Sequence, residues 1–327
     1  MRTLWLCWSL FSLVLSTPIS AFDLIGVGGY EYKPSPASPY VPTTKILKDT
    51  NLTQVNAVSL WITRDWREEW YPAKEINRSI VKEGYAPIFI LYWFADDISV
   101  PYIKEHRTEY FAYLKRFRDY LDQIDGKKVI VLNPEYNEYG VEEWSGFNEL
   151  LLESKKVLDH GDILIGPCVG DFGNYDNSFD VYNWKKFDPS LRTSIQAFDF
   201  IAFQEMRGLT RNSRQQIEKL PQRIESFASY LHSAYNKPVL LAYLALSTQG
   251  KDGEKLQEDV FNRIFQRQEI LQKSGIFGIN IFHLVDVPSH KGYFNEGEKY
   301  FGLYRSNFTA KPASRYFKQI RLQKKIQ

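Results

Sequence analysis

The chain has 327 residues, with 41 Lys and Arg against 39 Asp and Glu and an aromatic fraction of 16%. A formal net charge of +2 without a basic stripe or tail leaves out the electrostatic footprint of a nucleic-acid or anionic-membrane binder. The two cysteines, Cys7 and Cys168, lie far apart, the first inside an N-terminal apolar segment, so the rest of the chain has no possible internal disulfide and must rest on a large core.

The opening stretch "MRTLWLCWSLFSLVLSTPISA" has one cation, Arg2, an apolar run and a small-residue ending at Ser20-Ala21. This is the layout of a cleaved signal peptide over 1–21, followed by one domain over 22–327, and it predicts a secreted or periplasmic protein. The apolar run is too short for an ordinary membrane span, and no later segment is long and apolar enough, so no membrane insertion is expected after cleavage. Asn51, Asn77 and Asn307 stand in glycosylation sequons, which matter only in a eukaryotic secretory pathway.

Eight apolar runs of strand length follow in chain order: "FDLIGVGGY", "VNAVSLWIT", "YAPIFILYW", "KKVIVLNPE", "DILIGPCVG", "FDFIAFQEM", "KPVLLAYLA" and "FGINIFHLV". Each is continuously apolar, as parallel strands covered on both faces are. Amphipathic helices are predicted between them near 72–83, 101–124, 143–160, 212–235 and 253–274, with a last one near 311–322. Alternation of this kind predicts a single (β/α)8 TIM barrel; a doubly wound open sheet is the rival, because strand order is not readable from one sequence. In such a barrel the chemistry sits at the C-terminal ends of the strands.

"GVGGYE" at the first strand end is not a dinucleotide fingerprint, since Glu31 stands at the third glycine position and a proline-rich segment follows. No phosphate loop and no closely spaced His or Cys set occurs, so neither a cofactor nor a metal is expected. The second strand ends in Trp61, Arg64, Asp65 and Trp66, and the third in Tyr92, Trp93, Asp96 and Asp97. Aromatic rings beside acids and a guanidinium suit a sugar, whose C–H faces stack on rings and whose hydroxyls take hydrogen bonds. The alternative is that the rings cap the barrel and the charges pair among themselves.

The fourth strand runs into "NPEYNEYG". Strand alternation puts Val129, Val131, Asn133 and Glu135 on one face, and Pro134 marks the strand end. A carboxyl group there, walled by Tyr136, would have its pKa raised, which suits a general acid. Asn133 and Asn137 would orient it or hold a hydroxyl; Glu138 competes for the role, and a solvated acidic loop is the alternative. The fifth strand offers Asp171. The sixth offers Glu205, costly to bury after "FDFIAF" unless it is paired with Arg207 or Arg64 or used in chemistry. The seventh gives only Ser247 and Thr248, and the eighth gives His283 and Asp286.

With Arg64 at the second strand end, "NPEYNE" at the fourth and the closing stretch "YFGLYRSNFTAKPASRYF", the chain resembles the (β/α)8 glycoside hydrolases of the cellulase and mannanase superfamily. The resemblance implies that Glu135 is the acid/base. It also implies a nucleophilic Glu on the seventh strand, but "KPVLLAYLALST" has no carboxylate, so Glu205 is the candidate for that second role, with Asp171 behind it. The expectation is an exported glycoside hydrolase cleaving an oligo- or polysaccharide through Glu135 and Glu205, with Trp61, Tyr92 and Trp93 stacking on sugar rings and Arg64, Asn133, Asn137 and His283 binding hydroxyls. The other reading is a non-catalytic barrel that binds glycan or serves as an interaction protein. A serine mechanism lacks its "GxSxG" elbow.

Overall fold

A computed structural model describes residues 22–172 and 184–320. The leader predicted over 1–21 and the end of the last predicted helix lie outside them. Eight strands close into one parallel barrel: β1 (Leu24–Gly28), β2 (Ala57–Thr63), β3 (Ala86–Tyr92), β4 (Lys128–Leu132), β5 (Ile163–Gly170), β6 (Ile201–Arg207), β7 (Val239–Leu246) and β8 (Ile276–Ile281). They are hydrogen-bonded in chain order, and β8 returns to β1 through Leu24 opposite Gly278. The expected single (β/α)8 barrel is therefore the observed fold, and the open sheet is excluded.

Alternation along the strands separates two apolar layers. Leu24, Ala57, Ile88, Ile90, Val129 and Val131 fill the barrel interior, while Ile25, Val58, Phe89, Ile130 and Phe203 face the helices. Gly26 is small for a reason: a Cβ there would stand 2.5 Å from the Asn280 side-chain oxygen. The Asn280 amide uses that space to donate to Ser59 Oγ and the Ala242 carbonyl inside the barrel.

The helices broadly follow the predicted spans and break where local chemistry requires it. The proline-rich connection after β1 carries an unpredicted helix, α1 (Thr43–Asp49), entered from Pro42. The span expected at 72–83 is α2 (Ala73–Ile76) running into a π-helical turn over Asn77–Val81. Ser99 caps α3 (Val100–Leu121), accepting from the Tyr102 amide, with Pro101 in the first turn. After α4 (Phe147–Leu158) and the short α5 (Asp188–Leu191), the span expected at 212–235 divides into α6 (Arg214–Glu218) and α7 (Leu220–Tyr235), because Pro221 starts a new helix. The span expected at 253–274 likewise divides at Arg267 into α8 (Gly253–Gln266) and α9 (Gln268–Lys273). The last, α10 (Ser314–Phe317), is followed closely by the end of the described residues.

The closing stretch is tied to the barrel by a buried ion pair. Lys311 Nζ lies 2.7 Å from Asp286 Oδ1 and also donates to Thr248 Oγ1 and the Tyr300 carbonyl, which joins the ends of β7 and β8 to the C-terminal segment. No helix among the described residues is long and apolar enough to cross a membrane.

Candidate active site

The end of β4 decides where its polar side chains point. The strand stops at Leu132, and Asn133 and Glu135 then take φ values of 47° and 61°, a left-handed conformation that costs a non-glycine residue on the order of 1 kcal/mol or more. Simple alternation would have put both side chains on the inner face, and the two left-handed residues separate them. Asn133 turns outward to Tyr110 of α3, accepting from its phenol at 3.3 Å and donating back at 3.1 Å. Glu135 turns inward. Its Oε1 accepts from the Tyr243 phenol at 2.9 Å, and its Oε2 lies 3.4 Å from the Tyr92 phenol, which itself donates to Asp96 Oδ1 at 2.7 Å.

Tyr243 is on β7, the strand from which the sequence offered only Ser247 and Thr248. Phe203 pairs with Leu241 but Gln204 pairs with Tyr243, so β7 holds one extra residue there. This bulge turns Ala242 and Tyr243 both to the barrel interior. No alternation pattern in the sequence announces it.

Burial pushes the Glu135 carboxyl up to about 7, opposed by the hydrogen bond from Tyr243 and assisted by the negative charges of Glu138 and Asp96. The group therefore holds its proton near neutrality, as a general acid must. Around it, Trp61 packs edge-on to Tyr92 with ring centres 5.4 Å apart and lies 5.3 Å from both Tyr243 and Phe282. His283 lies tilted against the neighbouring Phe282 ring and sits 5.3 Å from His290; burial and that second imidazole push its pKa well down, so its ring is neutral. Among the described residues neither His283 nitrogen has a hydrogen-bond partner, nor do Trp61 Nε1 and Gln204 Oε1. The carboxyl is thus enclosed by aromatic rings, with buried donors and acceptors nearby that no protein group among the described residues uses.

Other expected site residues are placed elsewhere. Glu205 does not converge with Glu135. Along β6, Ala202 and Met206 face the interior, so Glu205 and Arg207 face the helix layer, where they form an ion pair at 2.6 Å with Glu205 fully buried. Burial and the neighbouring Asp171 push the Glu205 carboxyl up, with Arg223 pulling against them. Asp171 is in the same buried layer, gripped by two hydrogen bonds from Arg223 of α7, at 2.6 and 2.8 Å, and a third from Trp184 at 2.8 Å. Trp93 also faces outward, 1% exposed and packed on Phe94, Tyr110 and Tyr113. Asn137 exchanges two hydrogen bonds with the Gly170 backbone, splinting the β4 loop to the end of β5. Arg64 is exposed, bonded to the Tyr102 phenol and lying over the Trp93 ring. Of the residues singled out in the sequence, then, Trp61, Tyr92, Glu135 and His283 line the mouth. Tyr243, Phe282 and Gln204, which join them, carry no signal in the sequence, and Asp96 stood there without a part. No group of His, Cys, Asp or Glu among the described residues is arranged to hold a metal ion.

No protein-family model matches the chain, and no curated protein matches it by sequence. Solved structures do match. A GH5_18 structure from Bifidobacterium longum in complex with Manβ1-4GlcNAc is 14% identical, with a TM-score of 0.58 over 90% of this chain and 77% of that one. The cellulose synthase subunit Z from Clostridioides difficile is 14% identical, with a TM-score of 0.56 over 91% of this chain and 99% of that one. The catalytic core of a xylanase A is 10% identical, with a TM-score of 0.58 over 92% and 98%. At these identities the likeness shows the fold: the barrel is of the type found in glycoside hydrolases, as the closing segment and the β4 motif had indicated.

Proposed function

We propose that the protein is a glycoside hydrolase acting on an oligo- or polysaccharide, with Glu135 as the general acid that protonates the leaving oxygen. The observation that carries this reading is the environment of Glu135: a carboxyl held in its acid form at the mouth of the barrel, fixed by Tyr243 and bordered by Tyr92 and Trp61. Stacking on Trp61 and Tyr92 would hold the sugar, and His283 and Gln204 would bind hydroxyls. The fold likeness to glycoside hydrolases agrees with the reading.

The second carboxyl of a two-acid mechanism is assigned differently from the sequence expectation. Glu205 is ion-paired to Arg207 behind the barrel wall, and we give it a structural part. Asp96 is the acid linked to Glu135 through Tyr92, its Oδ1 no more than about 6 Å from Oε2 by the two intervening contacts. That bound admits the about 5–5.5 Å between the paired carboxyls of retaining glycosidases and falls short of the about 6.5–9.5 Å of inverting ones. Asn133 and Asn137, occupied by Tyr110 and Gly170, are given support of the β4 loop instead of sugar binding.

The burial of Glu205 and the absence of a carboxylate on β7 favour a second reading, a barrel that binds glycan without cutting it. Turnover on a panel of plant, fungal and bacterial polysaccharides separates the two. The parent should cleave at least one, Glu135→Gln should lose at least about a hundredfold in kcat/KM while melting at the same temperature, and Glu205→Gln should retain most of the activity. Glycan binding without cleavage by the parent would establish the second reading. Export is part of the proposal: protein recovered outside the producing cell should begin at Phe22, and recovery with residues 1–21 intact would refute it.

A further inference from the structure

Besides Glu135 and its partners, a second set of ionisable side chains meets at the end of β8: His283 just after the strand, and His290 and Glu298 in the connection that follows. Glu298 is only 5% exposed, and both of its oxygens are engaged. Oε1 accepts from the Phe294 amide at 2.8 Å. Oε2 lies 2.9 Å from His290 Nε2, a separation that needs a proton between the two atoms and so places one on Nε2. Gly292 makes room for this carboxyl group, since a Cβ there would stand 2.5 Å from Oε1.

The His290 ring in turn packs on the two rings at the end of β8. It stands edge-on to His283, with centres 5.3 Å apart, and edge-on to Phe282 at 6.0 Å. Phe282 holds His283 from another side, with centres 3.6 Å apart, and is itself packed on Trp61. Gly28 at the end of β1 leaves the rings their space: a Cβ there would stand 3.3 Å from Phe282 Cδ2 and 3.4 Å from His283 Nδ1. The buried, neutral His283 has one N–H to give and one lone pair to offer, and neither nitrogen has a protein partner among the described residues. No hydrogen bond therefore fixes where they point. That is left to the packing of Phe282 and His290, and His290 is held by Glu298.

We propose that Glu298 and His290 are positioning residues for His283: the carboxyl group anchors the His290 ring, and that ring holds the His283 imidazole in the orientation in which it meets a ligand hydroxyl. The inference rests on the hydroxyl-binding part given to His283 and adds the device that orients it. An imidazole free to turn would bind the same hydroxyl only after being ordered, so the device acts on binding and not on the bond-breaking step.

Two readouts test this, one of them independent of turnover. In histidine-labelled protein, NMR cross-relaxation between the carbon-bound ring protons of His283 and His290 reports their contact, which the parent should show. Glu298→Ala should abolish it and shift the His283 signals. Glu298→Gln should keep it, with the imidazole proton reversed. Its amide oxygen is needed by the Phe294 N–H, so its NH2 faces His290 Nε2 and the ring proton moves to Nδ1, which nitrogen-15 shifts read directly. On a glycan that the parent cleaves, Glu298→Ala and His290→Ala should raise KM about tenfold with kcat within about twofold, and Glu298→Gln should keep KM near the parent's. Should Glu298→Ala fail to fold, His290→Ala, which leaves Glu298 bonded to Phe294, supplies both the His283 shift and the KM. His283 signals unmoved in the alanine variants, KM unchanged in them, or no rescue by glutamine would overturn the inference. A parent that cleaves no glycan would remove the hydrolase reading and leave the ring signals to decide this one.

Discussion

Tyr92 carries one phenolic proton and stands between two carboxyl groups. The phenol oxygen lies 2.7 Å from Asp96 Oδ1 and 3.4 Å from Glu135 Oε2, so Asp96 takes the larger share and the bond to Glu135 is weak. Glu135 is thus left with Tyr243 as its one close donor among the described residues, and burial outweighs the two bonds that favour its charged form. The groups that face Glu135 are Tyr92 and Asp96 at the β3 end, Glu138 on its own loop, Cys168 on β5 and Tyr243 on β7. As a general acid with a pKa of about 7, Glu135 should give a kcat/KM that falls as pH rises through neutrality. Asp96→Asn removes a negative charge and frees the Tyr92 proton for Glu135, so the Glu135 pKa should fall. Tyr243→Phe removes a bond that favours the charged form, so it should rise. A carbon-13 NMR titration of the Glu135 carboxyl from about pH 4 to 9, which needs no turnover by a variant lacking the second carboxyl, reads both shifts; shifts of the opposite sign would contradict these roles. Glu135 itself was legible in the sequence because Pro134 ends a strongly apolar strand just before it. The inward turn of Tyr243 was not, because it depends on one extra residue in β7.

At the scale of elements, two irregularities build the site: the left-handed pair at the end of β4 and the bulge in β7. All eight strands were readable as continuous apolar runs, and the helix spans as 3.6-residue patterns. The misplaced residues share one cause. Trp93, Asn133, Asp171 and Glu205 lie at strand ends, where one step of alternation or a change in φ decides between the mouth and the helix layer. Charge in that layer binds the elements together. Asp171 at the end of β5, Glu205 and Arg207 on β6 and Arg223 on α7 make a buried group of two acids and two bases. Replacing Arg223 by Met should leave its acid partners uncompensated and cost about 3–5 kcal/mol, the usual penalty for breaking a buried ion pair from one side. Chemical denaturation of the variant measures it, and a loss under about 1 kcal/mol would show that the cluster does not hold α7 to the barrel.

At the scale of the whole molecule, the barrel gathers the residues of the proposed site at one end. The connections that leave the strand C-terminal ends carry every exposed aromatic ring among the described residues, along with Asp96 and Glu135, while the opposite end is closed by short turns. The barrel itself is shared with solved structures at 10–14% identity, as expected when the alternation of apolar strands and amphipathic helices specifies the architecture. Fold class was accordingly readable from pattern alone, and the composition of the mouth required coordinates.

Proton donation by Glu135 matters in proportion to how much help the leaving group needs to depart. The most direct measurement is kcat/KM of the parent and of Glu135→Gln on a cleaved glycan and on a dinitrophenyl glycoside of the same sugar. The expected result is a loss of at least about a hundredfold on the glycan and less than about tenfold on the activated glycoside, whose phenolate departs without protonation. Equal losses on both substrates, or none on either, would contradict it.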